Sequence, residues 1–288
     1  MHHFDLDDPS ALPHFWRRTA TLDWCEQNYV MCTYIAEFWN TVSNLAFLSL
    51  AFLGAYLVHR TGQEKRFLLA YASFGAVGLG SWLFHMTLSY EAQLLDELPM
   101  IYATCILIWV TLETKPKCRY GLALPFLLAS TAIAITAAYI INKNPILHQI
   151  AYGSLTAVLV FRAGYLFQCT RDPKVKALIR SLLTQSILFY GLGFLLWNID
   201  NQFCPQVRAL RASLPSSLSW VLQLHAWWHV FTGLGGYTYI AHMQYVRQVL
   251  LGEGDAYRIK FLLFGTLPIV FPRHRQHHPS SSASIKVE

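Results

Sequence analysis

Charge is scarce in this chain. Of 288 residues, only 13% are Asp, Glu, Lys or Arg, while 54% are hydrophobic and 15% aromatic. Soluble domains carry about 25% charged residues, so the composition implies an integral membrane protein with little room for a separate soluble domain. The six cysteines include no CxxC pair, which excludes a zinc ribbon or a thioredoxin-type motif. No Asn-x-Ser/Thr glycosylation acceptor is present. The start, MHHFDLDDPSALPHFW, is acidic and interrupted, unlike the basic-then-apolar pattern of a cleavable signal peptide, and none is expected. No internal repeat or pair of broken helices marks a transporter. The formal net charge of +6 is spread between apolar runs without a nucleic-acid motif. It reads as the cytosolic flanks of membrane helices. Membrane lipids are the expected partners, with no nucleic acid and no obligate protein partner.

What the chain does have is long apolar runs, at about 36–58, 67–88, 93–112, 120–141, 146–168, 179–199 and 218–246. Each is near the ~20 residues a spanning helix needs. The expected fold is an all-α membrane protein, a bundle of seven transmembrane helices. Residues 1–34 form a polar N-terminal segment, 35–250 the intramembrane domain, and 251–288 a tail with an apolar patch at 261–271. That tail ends in a low-complexity stretch, HRQHHPSSSASIKVE, expected to be disordered. Basic residues concentrate in the loops after the first, third and fifth helices (Arg60, Lys65, Arg66, Lys115, Lys117, Arg119, Arg171, Lys174, Lys176, Arg180) and in the tail (Arg247, Arg258, Lys260, Arg273, Arg275, Lys286). The other side holds only Arg17, Arg18, Lys143, Arg208 and Arg211. The positive-inside rule puts the N-terminus in the lumen or outside and the C-terminus in the cytosol.

Within the last apolar run, LHAWWHVFTGLGGY (224–237), His225 and His229 are four residues apart. On a helix, such residues share one face and can supply two ligands to a metal. Core packing is the bland alternative, but ionisable groups inside a membrane are costly and usually functional. The expected topology brings His85, Ser81, Asp96, His225 and His229 to one depth near the lumenal surface, although the segments lie over 120 residues apart. Three histidines with an open fourth position form a catalytic zinc site. Such a metal polarises a carbonyl and brings the pKa of water toward ~7. Asp96 could act as general base and later as acid, and Ser81, one turn before His85, could donate to an oxyanion. A small packing residue is the alternative for Ser81. A helix-start cap is the alternative for Asp96 and Glu97.

Asp23, Glu26, Asn28 and the more distant Glu37 make an oxygen-rich cluster of the kind hard cations prefer. From the spacing alone, a solvated loop with a helix cap is the stronger reading, by about two to one. Glu37 differs, because it stands at the head of an apolar run and needs a partner. Cys25 and Cys204 map to the lumenal side, where a disulfide can form; Cys32 is a rival partner for Cys25.

Five blocks in order, LDWCEQNYV (22–30), IAEFWNTVSN (35–44), GSWLFHMTLSYEAQLLDELPMIY (80–102), LLWNIDNQFC (195–204) and HAWWHVFTGLGGY (225–237), resemble the alkaline ceramidases, nearest to their type 3 branch. The resemblance covers about residues 20–272. It implies a seven-helix intramembrane zinc amidase that cleaves ceramide to a sphingoid base and a fatty acid. By this resemblance His85, His225 and His229 hold zinc, and Ser81 and Asp96 are catalytic. Asp23, Trp24 (through its carbonyl), Glu26, Asn28 and Glu37 hold an activating calcium, and Cys25 pairs with Cys204. The branch also implies endoplasmic reticulum and Golgi membranes, and long unsaturated ceramides, phytoceramide or dihydroceramide as substrates. The rival readings are a phospholipid ester hydrolase of the same superfamily and a seven-helix zinc lipid receptor.

Overall fold

The computed structural model describes residues 15–114 and 119–272. The elements in order are α1 (Phe38–Ser43), α2 (Leu45–Thr61), α3 (Lys65–Thr87), α4 (Tyr90–Leu112), α5 (Ala123–Asn142), α6 (Pro145–Cys169), α7 (Pro173–Gln202), α8 (Cys204–Ser213), α9 (Leu224–Leu250), β1 (Tyr257–Leu262) and β2 (Leu267–Pro272). The expected disorder at 274–288 and the basic residues Lys115, Lys117, Arg273, Arg275 and Lys286 lie outside the described residues.

Local chemistry sets the helix limits. Ser89 caps α4 by accepting the Ala92 N–H at 3.1 Å. Asn144 and Asp172 cap α6 and α7, each followed by proline at the first helical position, where a missing N–H costs nothing. Gly62 closes α2 with φ +64°, a left-handed conformation that glycine tolerates. Pro173 starts the sixth long helix earlier than the apolar run at 179 suggests, because Asp172-Pro173 is itself a start signal.

Among the described residues, six helical stretches are long and apolar enough to cross a membrane, with α1 and α2 together forming the first, Phe38–Thr61. The first expected helix is therefore broken: Asn44 separates α1 from α2, and its side-chain amide donates to the Asn40 carbonyl at 3.0 Å. The seventh expected span differs more. Residues 216–222 form a 3-10 helix, and α9 begins only at Leu224. α9 has 27 residues but is not among the six apolar stretches. The reason is its setting, since it buries Thr238, His242, Gln244, Arg247 and Gln248 against other helices rather than facing lipid. The tail departs from the all-α expectation too. β1 and β2 pair antiparallel, Tyr257 opposite Pro272, using the apolar patch that composition alone left unassigned.

α9 packs along α7 and against α2, and the hairpin closes one end of this core. Ser186 on α7 donates to the Gly235 carbonyl at 2.8 Å. A Cβ on Gly235 would sit 3.0 Å from the Tyr190 backbone nitrogen, so the small residue permits the close approach. At the hairpin end, Tyr237 donates to the Pro268 carbonyl at 3.0 Å, and Arg247 bridges Glu64 at 2.6 Å and the Thr114 carbonyl at 2.7 Å.

Candidate metal centre and active site

α3 and α9 meet at their histidines. His85 and His225 have ring centroids 5.0 Å apart, His85 and His229 4.9 Å, and His225 and His229 4.7 Å. One ligand atom from each lies within 4.8 Å of the other two; among the described residues this is the one such group of His, Cys, Asp or Glu. All three side chains are buried, yet His85 Nε2 and His225 Nδ1 have no hydrogen-bond partner. A buried, unsatisfied polar atom costs about 1–3 kcal/mol. Two of them within a group of three close-set histidines fit a set of neutral imidazoles prepared for a divalent ion.

One further ring nitrogen of His85 and one of His229 are held by neighbouring side chains. His85 Nδ1 hydrogen-bonds the Glu37 carboxylate. His229 Nδ1 lies 2.8 Å from Ser43 Oγ and 3.4 Å from Asn44 Nδ2. Metal-binding histidines characteristically engage their second nitrogen in this way, which fixes tautomer and ring orientation. These supports, Glu37, Ser43 and Asn44, are the residues sequence reasoning passed over in this role. Their signal was present as polar side chains inside or at the edge of an apolar run. Trp24 covers the group, its ring centroid 4.1 Å from that of His225.

Ser81 and Asp96 are also brought to this place. Ser81 Oγ accepts from Asn44 Nδ2 at 3.1 Å and lies 3.5 Å from His229 Nε2, and the Asp96 carboxylate stands near its hydroxyl. The cause lies in the α3–α4 crossing. Pro99 inside α4 has no N–H for the Leu95 carbonyl four residues earlier. That carbonyl leans on Gly80, where an added Cβ would be 1.7 Å from the Leu95 oxygen. Glycine thus lets α4 seat Asp96 against Ser81. The helix-start reading of Asp96 and Glu97 is set aside, because α4 begins at Tyr90 under its Ser89 cap. Glu97 instead enters a separate buried network, accepting from Gln93 at 2.9 Å and from Tyr139, with His148 donating to its backbone carbonyl at 2.8 Å.

The acidic cluster adjoins the histidines through Glu37. Glu37 accepts from Trp24 N at 3.3 Å and Asn40 Nδ2 at 3.1 Å. Glu26 accepts from Trp39 N at 2.7 Å and Asn40 N at 2.8 Å at the head of α1. Asp23 pairs with Arg18 at 2.9 Å and accepts from Asn28 Nδ2 at 3.4 Å. Burial raises the pKa of all three acids: Asp23 despite Arg18, Glu26 to about 8 with Glu37's charge adding, and Glu37 well above its usual range with Asp23's charge adding. Asn28 Oδ1 is buried without a partner. Mutually repelling acids and an orphaned amide oxygen are the chemistry a hard cation prefers, but the three carboxylates do not converge on one point as the histidines do, and each already accepts from neighbouring donors. Cys25 and Cys204 are joined by a disulfide with Cα atoms 5.3 Å apart, and Cys32 has a free thiol.

The class these features define is a multi-pass helical membrane protein with a buried three-histidine centre beside a serine–aspartate pair. A model of the ceramidase family matches residues 16–271, and the chain belongs to that family. It is 45% identical to alkaline ceramidase 3 of Mus musculus over 90% of this chain and 95% of that one. It is 38% identical to alkaline ceramidase YPC1 of Saccharomyces cerevisiae, covering 86% and 84%. With an alkaline ceramidase of Arabidopsis thaliana the identity is 30%, covering 90% and 96%.

Proposed function

We propose that this chain hydrolyses the amide bond of ceramide within the membrane, giving a sphingoid base and a free fatty acid. The observation that carries the reading is the buried histidine triad with orphaned nitrogens next to the Ser81–Asp96 pair. His85, His225 and His229 would hold zinc. When bound, zinc supplies a Lewis acid that polarises a carbonyl and acidifies water.

The chain's own residues do the rest. Asp96 takes a proton from the attacking water as the C–O bond forms, then gives it to the amide nitrogen as the C–N bond breaks. One water is consumed and no other co-reactant is required. Asn44 donates into Ser81 Oγ, which leaves the serine hydroxyl proton free to turn from Asp96 to the developing oxyanion. Glu37 and Ser43 keep the imidazoles aimed. Ceramide reaches the site laterally from the bilayer, α9 completes seven spans, and the N-terminus faces the lumen of the endoplasmic reticulum or Golgi. Calcium on Asp23, the Trp24 carbonyl, Glu26, Asn28 and Glu37 would tune activity, since Glu37 touches both groups. Long unsaturated ceramides, phytoceramide and dihydroceramide are the substrates to try first. Incubating the purified protein with a ceramide panel and a phospholipid panel, followed by lipid mass spectrometry, tests the assignment. Free sphingoid base and fatty acid support it; lysophospholipid, or no product, would overturn it.

A further inference from the structure

Asp200, in the LLWNIDNQFC block, and Arg211, on α8, have no part in the chemistry above, yet both are buried. Burying a charged side chain is costly unless it is hydrogen-bonded. The Asp200 carboxylate accepts the backbone N–H of Cys25 at 3.3 Å and stands near the backbone N–H of His225. The Arg211 guanidinium donates to the Cys25 carbonyl at 3.2 Å and to the Leu222 carbonyl at 3.0 Å. The acid thus engages donors, and the base donates to acceptors, on the same two segments. One segment is the Cys25 peptide, flanked by Trp24 and Glu26. The other is the approach to α9 and its first turn.

α9 needs such support. Its N-cap residue Gln223 gives no side-chain cap, so the first-turn N–H groups have no local acceptor. His225 is the second residue of that helix. A carboxylate at a helix N-terminus satisfies those donors and is favoured by the helix dipole.

We propose that Asp200, with Arg211, is the positioning residue for His225: it caps α9 from a neighbouring helix and locks that turn to the Cys25 loop, so that the third imidazole meets the other two. This rests on the histidine triad being a metal centre. Asp200 touches neither metal nor substrate in this account and acts only through the placement of His225.

The test is metal affinity in the full-length protein, measured by competition with a chromophoric chelator, together with the visible spectrum of the cobalt-substituted protein. Asp200→Asn preserves shape but replaces one acceptor oxygen with a donor. The expected result is a 10- to 100-fold loss of zinc affinity, roughly the effect of losing a partner of a metal ligand. The cobalt spectrum should be altered, kcat lowered and KM for ceramide little changed. Asp200→Glu, which keeps both acceptor oxygens, should recover most of the affinity. If Asp200→Asn does not yield folded protein, the contrast between Asp200→Glu and Asp200→Ala decides: affinity and spectrum kept in Asp200→Glu but lost in Asp200→Ala support the carboxylate's role, and equal values in the two variants refute it. Wild-type affinity and spectrum in Asp200→Asn would overturn the proposal. Wild-type protein that binds no zinc would instead overturn the metal reading beneath it.

Discussion

Gly80→Ala separates the catalytic pair from the metal centre. The new Cβ would meet the Leu95 carbonyl oxygen at 1.7 Å, its carbon at 2.5 Å and the Asp96 nitrogen at 3.0 Å. All three are backbone atoms, so no side chain can rotate aside. Restoring an ordinary contact of 3.4 Å requires α3 and α4 to part by about 1.7 Å. Overpacking of this kind costs about 1–3 kcal/mol of stability. The functional cost should be larger, because a misplacement of ~1 Å in a reacting geometry can cost about 100-fold. Asp96 moves with α4, whereas the histidines stand on α3 and α9. Gly80→Ala should therefore keep its zinc while kcat for ceramide falls about 100-fold or more. Gly153→Ala is the matched control: nothing lies within 4 Å of its added Cβ, and the helix should gain at most ~1 kcal/mol. Metal analysis, thermal unfolding and a product assay on both variants provide the readouts. Gly80→Ala protein turning over within a few-fold of wild type would refute the claim that this crossing seats Asp96.

Two further outcomes follow from the N-terminal loop. Burial and Glu37 raise the Glu26 pKa to about 8, above its unfolded value near 4.5. The stability it contributes is thus full below about pH 4.5 and lost as pH climbs through 8. Calcium-free protein should lose thermal stability between pH 6 and pH 9, with the protection by calcium widening over that interval; a gap independent of pH would contradict the cation site. Replacing Cys25 with Ala removes a cross-link between residues 179 apart in sequence and should cost about 2–5 kcal/mol. An unchanged unfolding midpoint would show that the Asp200 and Arg211 hydrogen bonds suffice.

The histidines were legible in the sequence because two distinct signals agreed: the four-residue spacing of His225 and His229, and the shared depth with His85 that topology supplies. Glu37 was half legible. An acid at the head of an apolar run advertises a missing partner, but nothing in the spacing says that the partner is His85, 48 residues away. Asn44 was hidden for another reason. Its neighbours read as one continuous apolar span, while its side chain takes the Asn40 carbonyl where α1 gives way to α2. The polar content of α9 worked against it. The residues that make it the central, protein-buried helix also lower its hydropathy below that of the six lipid-facing stretches. Arg162 is the one Lys, Arg, Asp or Glu within α6, and its guanidinium lies over the Tyr165 ring at 5.0 Å. The β1–β2 hairpin had no alternating pattern strong enough to name it. Asp200 and Arg211 act on backbone groups of distant segments, which no single-sequence pattern encodes.

The most direct measurement is zinc content and ceramide hydrolysis of wild type and His229→Ala prepared side by side. The account predicts close to one zinc per wild-type chain, and in the variant the joint loss of metal and of sphingoid-base release. Hydrolysis persisting in zinc-free His229→Ala protein would contradict it.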